Sequence, residues 1–521
     1  MTYLCVPIFV SSLDQAKRDA VLAAEGGADL VEYRIDTFTD DPAAILQLVA
    51  QSPVPCIVTC RIPDEGGQAD LPDDQRIATL NAARPAMPAY VDLELATYKT
   101  AGSQLEAGPR LIVSAHDFQS RPDRLYNILA EMTASTADVS KIVWTARTLR
   151  DNLEAFEILT TRQKPTIALC MGEAGLLSRV LAKKFGAFLT FASLTRGAET
   201  APGQVSIADM KRLYRWDAQN AKTRVYGVVG SPVAHSMSPA IHNAAFEQVG
   251  HDGVYVPLLV NEGYESFKAF METFLAFEPL HLRGLSITIP HKENALRYLK
   301  EKGARVDPLA ESIGALNTIV ITRPNSELGT QNSELKGFST DYPAILDSIT
   351  TALNITRDDL KNYRVAVLGA GGTGRTAVAT LAHYGATVVV YNRTLDRAEK
   401  LADEFNGKTG KVVAARFEKL CDSCCQIYLN TTSVGMHPNV GTSPIDGQDL
   451  TFTPDHLVFD TIYNPIETKL LVQAKAVGAK TVSGVEMFVR QAAGQFEAWT
   501  DKPAPTDLMR RVVEDRLATP E

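Results

Sequence analysis

A lysine and a histidine set inside apolar, β-rich runs are where this sequence first offers chemistry. Lys141 opens the run KIVWTAR and shares its face with Val143, Thr145 and Arg147, which can aim it into a packed interior. Desolvation and neighbouring positive charge would lower a lysine's pKa there and make it a nucleophile toward ketones. The plainer alternative is a surface lysine at a strand start. His116 stands where RLIVSAHDF ends, and a neutral imidazole can take and return a proton near neutral pH. Glu32, Arg34 and Asp36 alternate at i, i+2, i+4 and so share one side of a strand, as do Asp92 and Glu94 in YVDLEL. Charges arrayed this way on an inner face suit either a polyhydroxylated ligand or an internal ion-pair network.

The second half carries a different set. Ser236 and Ser238 precede a helix in SPVAHSMSP, where two hydroxyls beside unpaired N–H groups suit a small anion such as a carboxylate. Lys292 follows the run LSITIPH, Asn317 lies in IGALNTIV and Asp341 in LKGFSTDY. RVAVLGAGGTGRTA then spaces Gly369, Gly371 and Gly374 as GxGxxG between a strand and a helix, the arrangement that brings backbone N–H groups to a pyrophosphate. After the next strand, ATVVVY, come Asn392, Arg393 and Thr394, with no acid at the strand tip. A guanidinium there favours a ribose 2′-phosphate, so the cofactor expected is NADP rather than NAD.

Elements able to position these groups follow from the pattern. Eight β-rich runs alternate with helical stretches between Tyr3 and Ser193, beginning at Leu4, Leu30, Cys56, Tyr90, Arg110, Lys141, Pro165 and Ala187. That number predicts an N-terminal (β/α)8 barrel, closed by a last helix over Ile207–Asp217, with an open doubly wound sheet as the runner-up. Only AQNAKT separates Asp217 from Arg224, too short for a flexible tether, so the halves should be closely juxtaposed. Beyond it, strand–helix alternation predicts a two-lobed α/β arrangement with a Rossmann-type NADP lobe, a helix from Pro343 to Asn354, and later strands at QIYLN and HLVFDTIY.

The 521 residues carry a formal charge of −9, with 45% hydrophobic and 22% charged residues, an ordinary, mildly acidic composition. No basic excess points to nucleic acid or anionic membrane, no apolar run reaches membrane-spanning length, and the partners expected are small molecules. The opening MTYLCVPIFVSSLDQ lacks a basic leader pattern, so the expected address is cytoplasmic. Of seven cysteines most lie in strand-like runs as small hydrophobes. The CDSCC cluster at Cys421–Cys425 supplies a CxxC but no second ligand pair for zinc; it reads as structural, and no metal is expected.

Two resemblances carry the reading further. EYR with Asp36, DLEL, SAHDF, KIVWTAR, GLLSR and ETAPGQVS follow the order and spacing of type I 3-dehydroquinate dehydratases across Met1 to Asp217. The resemblance implies that Lys141 forms an imine with the substrate ketone. It makes His116 the general base and then acid, with Glu94 orienting it. Arg179 becomes the carboxylate clamp, while Glu32, Arg34 and Gln204 bond hydroxyls. Thr200 stands where that family usually has Ser, keeping a hydroxyl and adding a methyl.

SPVAHSMSP, TIPHK, GALNT, STD, GAGGTGRT, NRT, NTTSVGM, DTIYNP and GVEMFVRQA resemble shikimate dehydrogenases from Val225 to Trp499. By that resemblance Ser236 and Ser238 hold the substrate carboxylate, Thr288, Asn317 and Gln491 bond its hydroxyls, and Lys292 with Asp341 forms the catalytic pair. The cofactor lies against Gly369, Ala370, Gly371, Gly372, Gly374, Asn392, Arg393, Thr394, Tyr463, Gly484 and Met487. Ser286 and Ser339 replace a common Asn and leave quinate open as a substrate. The implied domains are 1–218 for the dehydratase, 224–341 joined by 484–521 for a substrate lobe, and 342–483 for the NADP lobe. The implied activity is dehydration of 3-dehydroquinate followed by NADPH-dependent reduction of 3-dehydroshikimate to shikimate. The alternatives are an aldolase-type imine barrel, a quinate/shikimate dehydrogenase with a fused dehydratase, and an inactive regulator of the quinate-repressor type.

Overall fold

The computed structural model describes residues 1–39, 41–323, 333–407, 410–422, 424–448 and 450–518, the side chains of Cys421 and Asp422 excepted. Of the CxxC cluster, Ser423 and the Cys421 side chain therefore lie outside the described residues. Cys424 is exposed and Cys425 buried, both as free thiols. By contact density the chain forms two compact units. The first is Met1–Ser236 with Asp252–Asn261 and Lys268–Leu282; the second is Met237–His251, Glu262–Phe267 and Arg283–Glu521.

The first unit holds the eight expected strands: β1 (Tyr3–Phe9), β2 (Leu30–Arg34), β3 (Cys56–Thr59), β4 (Tyr90–Glu94), β5 (Arg110–Asp117), β6 (Val139–Thr145), β7 (Thr166–Met171) and β8 (Leu189–Phe191). They pair in parallel in the order β7-β6-β5-β4-β3-β2-β1-β8. The amide of Phe188 donates to the Thr166 carbonyl at 2.8 Å, and Tyr3 donates to the Phe188 carbonyl at 3.0 Å, so the chain entering β8 joins β7 to β1 and rounds the sheet into a barrel. Cys5, Leu30, Ile57, Tyr90, Ile112, Val139, Ile167 and Leu189 fill its interior as an apolar plug. Being buried on both faces, the strands read as near-continuous apolar runs. Polar side chains one step further along β2 to β6 stand above that plug.

The helix expected over Ile207–Asp217 is shorter: one wide helical turn at Asp209–Leu213 and a tight turn at Trp216–Ala218, separated by Arg215 at φ 53°. A left-handed residue cannot continue a right-handed helix. The same unit carries β9 (Arg224–Gly230) and β10 (Gly253–Leu259), paired in parallel. Lys184 is buried and donates to the carbonyls of Ala221 at 3.0 Å and Thr223 at 2.9 Å, with His281 Nδ1 at 3.0 Å. Phe156 stacks on Phe185 at 3.9 Å, and Phe277 completes the group 6.0 Å from Phe185.

In the second unit β11 (Leu282–Ile287) opens a mixed sheet with β12 (Arg305–Val306), β13 (Thr318–Thr322) and β14 (Glu334–Phe338). β13 runs antiparallel to both β11 and β14, and β12 pairs in parallel with β14. The helix Asp341–Leu353 leads to a six-stranded parallel sheet of β15 (Arg364–Leu368), β16 (Thr387–Tyr391), β17 (Val412–Ala415), β18 (Ile427–Asn430), β19 (Leu457–Asp460) and β20 (Lys480–Val482), in the order β17-β16-β15-β18-β19-β20. This doubly wound order reverses between β15 and β18, which is where such sheets bind ligands. The helix Gly484–Thr500 then folds back: Gln495 Nε2 donates to the Asn317 carbonyl at 3.2 Å and Trp499 Nε1 to that of Ile319 at 3.1 Å. No helix among the described residues is long and apolar enough to cross a membrane.

Candidate active sites

Inside the barrel, strand alternation brings the charged side chains to one place. Lys141 is buried, with Nζ 2.9 Å from Asp92 Oδ2, 3.3 Å from Glu32 Oε1, and 4.6 Å above the Phe191 ring. The charges touching it are thus carboxylates, which corrects the expectation of neighbouring positive charge; the strand phase that turns it inward is as expected. Glu32 also accepts from Thr59 Oγ1 at 2.8 Å. Asp92 accepts from Ser114 Oγ at 2.6 Å and from Arg61 at 2.7 Å. Burial alone would raise its carboxyl pKa, but the Arg61 and Lys141 cations hold it well below the usual carboxylate range. Arg34 pairs with Asp36 at 2.6 Å, and Asp36 also accepts from the amides of Arg61 and Gln68, so the third charge of EYRID locks loop backbone rather than facing a ligand.

Above this floor lies a cavity of about 50 Å³ whose wall includes Lys141, His116, Glu65, Arg61, Arg179 and Gln204. His116 Nδ1 lies 2.8 Å from Glu65 Oε2, and the same oxygen accepts the His116 amide at 3.0 Å. Burial, with the Arg61 and Lys141 cations, drives the imidazole well below its ordinary pKa. Burial pushes the Glu65 carboxyl up to about 7, against the pull of Arg61. Both shifts favour the uncharged form of each partner.

Glu94, expected to orient His116, makes no hydrogen bond to it among the described residues. Its carboxylate pairs with Arg61 at 3.1 Å and with Arg76, and it is not part of the cavity wall. The carboxylate that bonds His116 is Glu65.

Arg179 is 1% exposed, and its Nε has no hydrogen-bond partner among the described residues. Its NH2 reaches the Pro202 carbonyl at 3.4 Å, and burial lowers its pKa to about 10. An unpaired buried guanidinium facing a cavity calls for an anion. Thr200 and Gln204 line the same cavity and bond each other, Gln204 Nε2 donating to Thr200 Oγ1 at 3.0 Å.

In the second unit Lys292 Nζ lies 2.6 Å from Asp341 Oδ2. Each residue opens a helix, Lys292–Glu301 and Asp341–Leu353. A carboxylate is favoured at such a terminus and an ammonium is not, so Asp341 supplies the charge that Lys292's own helix withholds. Asn317, expected to bond a hydroxyl, sends both amide donors to this centre: Asp341 Oδ1 at 2.9 Å and Thr340 Oγ1 at 3.0 Å. Its carbonyl oxygen accepts the Thr340 amide at 2.8 Å. Ser286 Oγ donates to Gln495 Oε1 at 2.7 Å. Thr288 follows β11, half-buried, with its carbonyl accepting the His291 amide at 2.9 Å. Gln491 Nε2 bonds the Phe488 carbonyl at 3.1 Å. Ser238 is the first residue of the helix Ser238–Gln248, and Ser236 lies in the preceding turn at the end of the first unit.

The glycine loop follows β15. Gly369 has φ +110°, and a Cβ on Gly374 would stand 2.2 Å from the Gly369 carbonyl oxygen, so neither position admits a side chain. Gly371 and Gly372 face open space, and Gly372 opens the twelve-residue helix to His383. The Asn392 side chain accepts the Ala370 amide at 3.3 Å and donates to the Thr394 carbonyl at 2.8 Å, tying the loop to the end of β16, where Arg393 and Thr394 are exposed. Open amides, a helix N-terminus and a guanidinium at the next strand tip fit a dinucleotide with a 2′-phosphate. Tyr463 stacks on Phe488 at 4.9 Å and burial raises its pKa. Gly484 opens its helix against the Ile462 carbonyl, and Met487 is packed into the core of this lobe.

The family profile for type I 3-dehydroquinase matches residues 4–221, and the shikimate dehydrogenase substrate-binding profile matches 228–319. The shikimate/quinate 5-dehydrogenase profile matches 350–430, and the shikimate 5'-dehydrogenase C-terminal profile 484–514. A bifunctional 3-dehydroquinate dehydratase/shikimate dehydrogenase, chloroplastic, of Arabidopsis thaliana is 38% identical over 98% of this chain and 84% of its own length. This chain belongs to the bifunctional 3-dehydroquinate dehydratase/shikimate dehydrogenase family. A shikimate dehydrogenase (NADP(+)) of Methanosarcina barkeri is 40% identical over 56% of the chain and 99% of its own. A solved shikimate dehydrogenase in complex with NADP+ matches with TM-score 0.50 and 32% identity, covering 58% of this chain and 98% of that one.

Sequence reading missed Glu65 and Arg61 in the dehydratase half and Gln495 in the dehydrogenase half. Glu65 lies in a short turn, Pro63–Glu65, after β3, where no periodicity assigns a direction. Arg61 continues CIVTCR directly, and a charge ending an apolar strand was the available signal.

Proposed function

We propose that the two sites act in sequence, the barrel dehydrating 3-dehydroquinate to 3-dehydroshikimate and the second half reducing that ketone to shikimate. The observation that carries the first step is a buried lysine held by two carboxylates beneath a histidine–glutamate pair and an unpaired arginine. Lys141 gives up its ammonium proton to solvent as substrate enters, and the free amine adds to the substrate ketone with loss of water to give an imine. The iminium acidifies the neighbouring C–H. With a proton on His116 Nδ1, Nε2 takes the α-proton and returns it to the departing β-hydroxyl, which leaves as water. Hydrolysis then restores the ketone and Lys141. Arg179 holds the substrate carboxylate, and Glu32, Arg34, Thr200 and Gln204 surround its hydroxyls.

In the second site NADPH supplies the hydride, and Gly369, Ala370, Gly371, Gly372, Gly374, Asn392, Arg393 and Thr394 are assigned to hold its phosphates and ribose, with Tyr463, Gly484 and Met487 toward the ring. Ser236 and Ser238 are assigned to the substrate carboxylate, and Thr288 and Gln491 to hydroxyls. The Lys292–Asp341 pair supplies a proton to the forming alkoxide, and Asn317 fixes Asp341 from behind. Residues 1–218 form the dehydratase, 224–341 with 484–521 the substrate lobe, and 342–483 the NADP lobe. The partners are these small molecules, and we assign a cytoplasmic address.

Adding 3-dehydroquinate and NADPH to the purified protein tests the sequence. Nicotinamide absorbance should fall only when both are present, and more slowly with NADH. Oxidation of added 3-dehydroshikimate's partner cofactor without any dehydration of 3-dehydroquinate would reject the barrel assignment. A fluorescent fusion excluded from the cytoplasm would reject the address.

A further inference from the structure

The arginine that faces the dehydratase cavity stands on a support to which the reaction above assigns no part. Arg179 lies on Leu176–Val180, a helix of five residues, and a helix that short is not stable by itself. Its N-cap is Gly175, which has no side chain to accept the amides left free in the first turn. Asn152, fully buried on the neighbouring helix Arg150–Thr161, supplies the acceptor from outside: its Oδ1 takes the Ser178 amide at 2.9 Å. The Nδ2 of the same side chain donates to the Ala174 carbonyl at 2.7 Å and to the Leu149 carbonyl at 2.9 Å. Ser178, also fully buried, closes the arrangement, its Oγ accepting the Cys170 amide at 2.8 Å and donating to the Gly175 carbonyl at 2.8 Å. Just before this helix the Gly172 amide donates to the Pro202 carbonyl at 3.1 Å, the same oxygen that Arg179 reaches at 3.4 Å.

We propose that Asn152 is a positioning residue for the dehydratase, supplying the missing cap of the Arg179 helix so that the unpaired guanidinium meets the substrate carboxylate. Neither Asn152 nor Ser178 lines the cavity, so each acts through Arg179. Both ends of the Asn152 amide are in use, one accepting from the helix and the other donating to two carbonyls, and a leucine of similar size offers neither. Without it the Ser178 amide and the Ala174 carbonyl lose their buried partners, and the first turn must shift to find others. Recognition of a carboxylate by a guanidinium depends on direction as well as charge, so a displaced Arg179 loses much of its hold. Lys141 and His116, which make and break the bonds of the reaction, sit on β6 and β5 and keep their places. Substrate binding should therefore suffer while the chemical steps survive. A residue that merely supported the packing of the barrel would weaken both.

This inference rests on the dehydratase reading and on Arg179 as the carboxylate clamp, and both are tested first. A wild type that does not turn over 3-dehydroquinate, or an Arg179→Met variant with an unaltered KM, rejects that reading and the proposal with it. Where these controls hold, Asn152→Leu should raise the KM for 3-dehydroquinate by about 5–20-fold, with kcat within about twofold of wild type and borohydride trapping at Lys141 complete at saturating substrate. In the Arg179→Met background the same change should add almost nothing, since no guanidinium is left to place. Ser178→Ala keeps the amide bond to Asn152 and should raise KM by a smaller factor, about 2–5-fold, again only while Arg179 is present. It decides alone if Asn152→Leu does not fold. Reduction of 3-dehydroshikimate by NADPH should be unchanged in every variant, which reports an intact chain. A rise in KM that persists in the Arg179→Met background, a fall in kcat as large as the rise in KM, or a wild-type KM in both single variants overturns the proposal.

Discussion

Lys141 and Lys292 are both assigned above to carbonyl chemistry, yet their surroundings are unlike. Lys141 is 4% exposed and its ammonium meets two carboxylates at once, within a buried chain of alternating charge that reaches Arg76. Lys292 is 24% exposed and meets one carboxylate, itself 12% exposed, across the starts of two helices. The difference follows the chemistry. A lysine that must bond covalently to a ketone, lose a proton and later leave needs every charge state prepared by the protein. A lysine that only supplies a proton while a cofactor brings the electrons needs a partner and an orientation. The first site is therefore a network and the second a pair.

Replacing each lysine breaks the comparison most severely. Lys141→Met should reduce dehydration by at least about 10³-fold and abolish borohydride trapping by mass spectrometry, with NADPH-dependent reduction of 3-dehydroshikimate unchanged. Lys292→Ala should lower the dehydrogenase kcat by about 10²–10⁴-fold, leaving dehydration intact. Equal loss of both activities in either variant would show that the sites are not independent. Next in size, Arg179→Met should raise the KM for 3-dehydroquinate by about 10–100-fold, and Arg179→Lys should recover only part of it, because a point charge cannot reproduce a guanidinium fork. Arg393→Ser should weaken NADPH more than NADH, by about tenfold, read as the ratio of the two KM values. An unchanged ratio would remove Arg393 from cofactor selection.

The smallest effect concerns stability in the NADP lobe. Asp460 is fully buried, accepts from Asn430, Thr468 and the Ile462 amide, and burial raises its carboxyl pKa to about 6. Because this exceeds the unfolded value of about 3.9, the folded state holds the proton more tightly, and the resulting stability is present below about pH 4 and lost as pH rises through 6. The loss is about 2–3 kcal/mol. Asp460→Asn should flatten the pH dependence of unfolding between 4 and 6; an unaltered slope would contradict the raised pKa.

Regular alternation made most of this legible. Glu32, Thr59, Asp92, Ser114 and Lys141 converge because they sit on inward positions of the successive parallel strands β2 to β6, and a period of two is visible in a linear sequence. Gly369, Gly374 and the end of β16 were legible for a similar reason: a backbone too tight for a side chain leaves glycine as its mark. Glu65 was not legible, since a residue in a three-residue turn has no period to reveal its direction. That Glu94 bonds Arg61 and Arg76 rather than His116 was not legible, because alternation places it beside Asp92 yet cannot say how far along the barrel axis a carboxylate reaches. Nor did pattern reveal that Asn317 has both donors engaged by Thr340 and Asp341; that depends on where two distant strand ends meet.

Lys184 has a consequence for how such a protein can be taken apart. Its ammonium is shared among the carbonyls of Ala221 and Thr223 and the His281 ring, all within one compact unit that also seats Phe277 near Phe156 and Phe185. A gene divided at codon 220 would separate a buried cation from its acceptors and uncover an aromatic cluster on both fragments. The reading frame that joins the two activities is thus written into the packing, and fission would need compensating surface mutations before either product behaved as a free-standing enzyme.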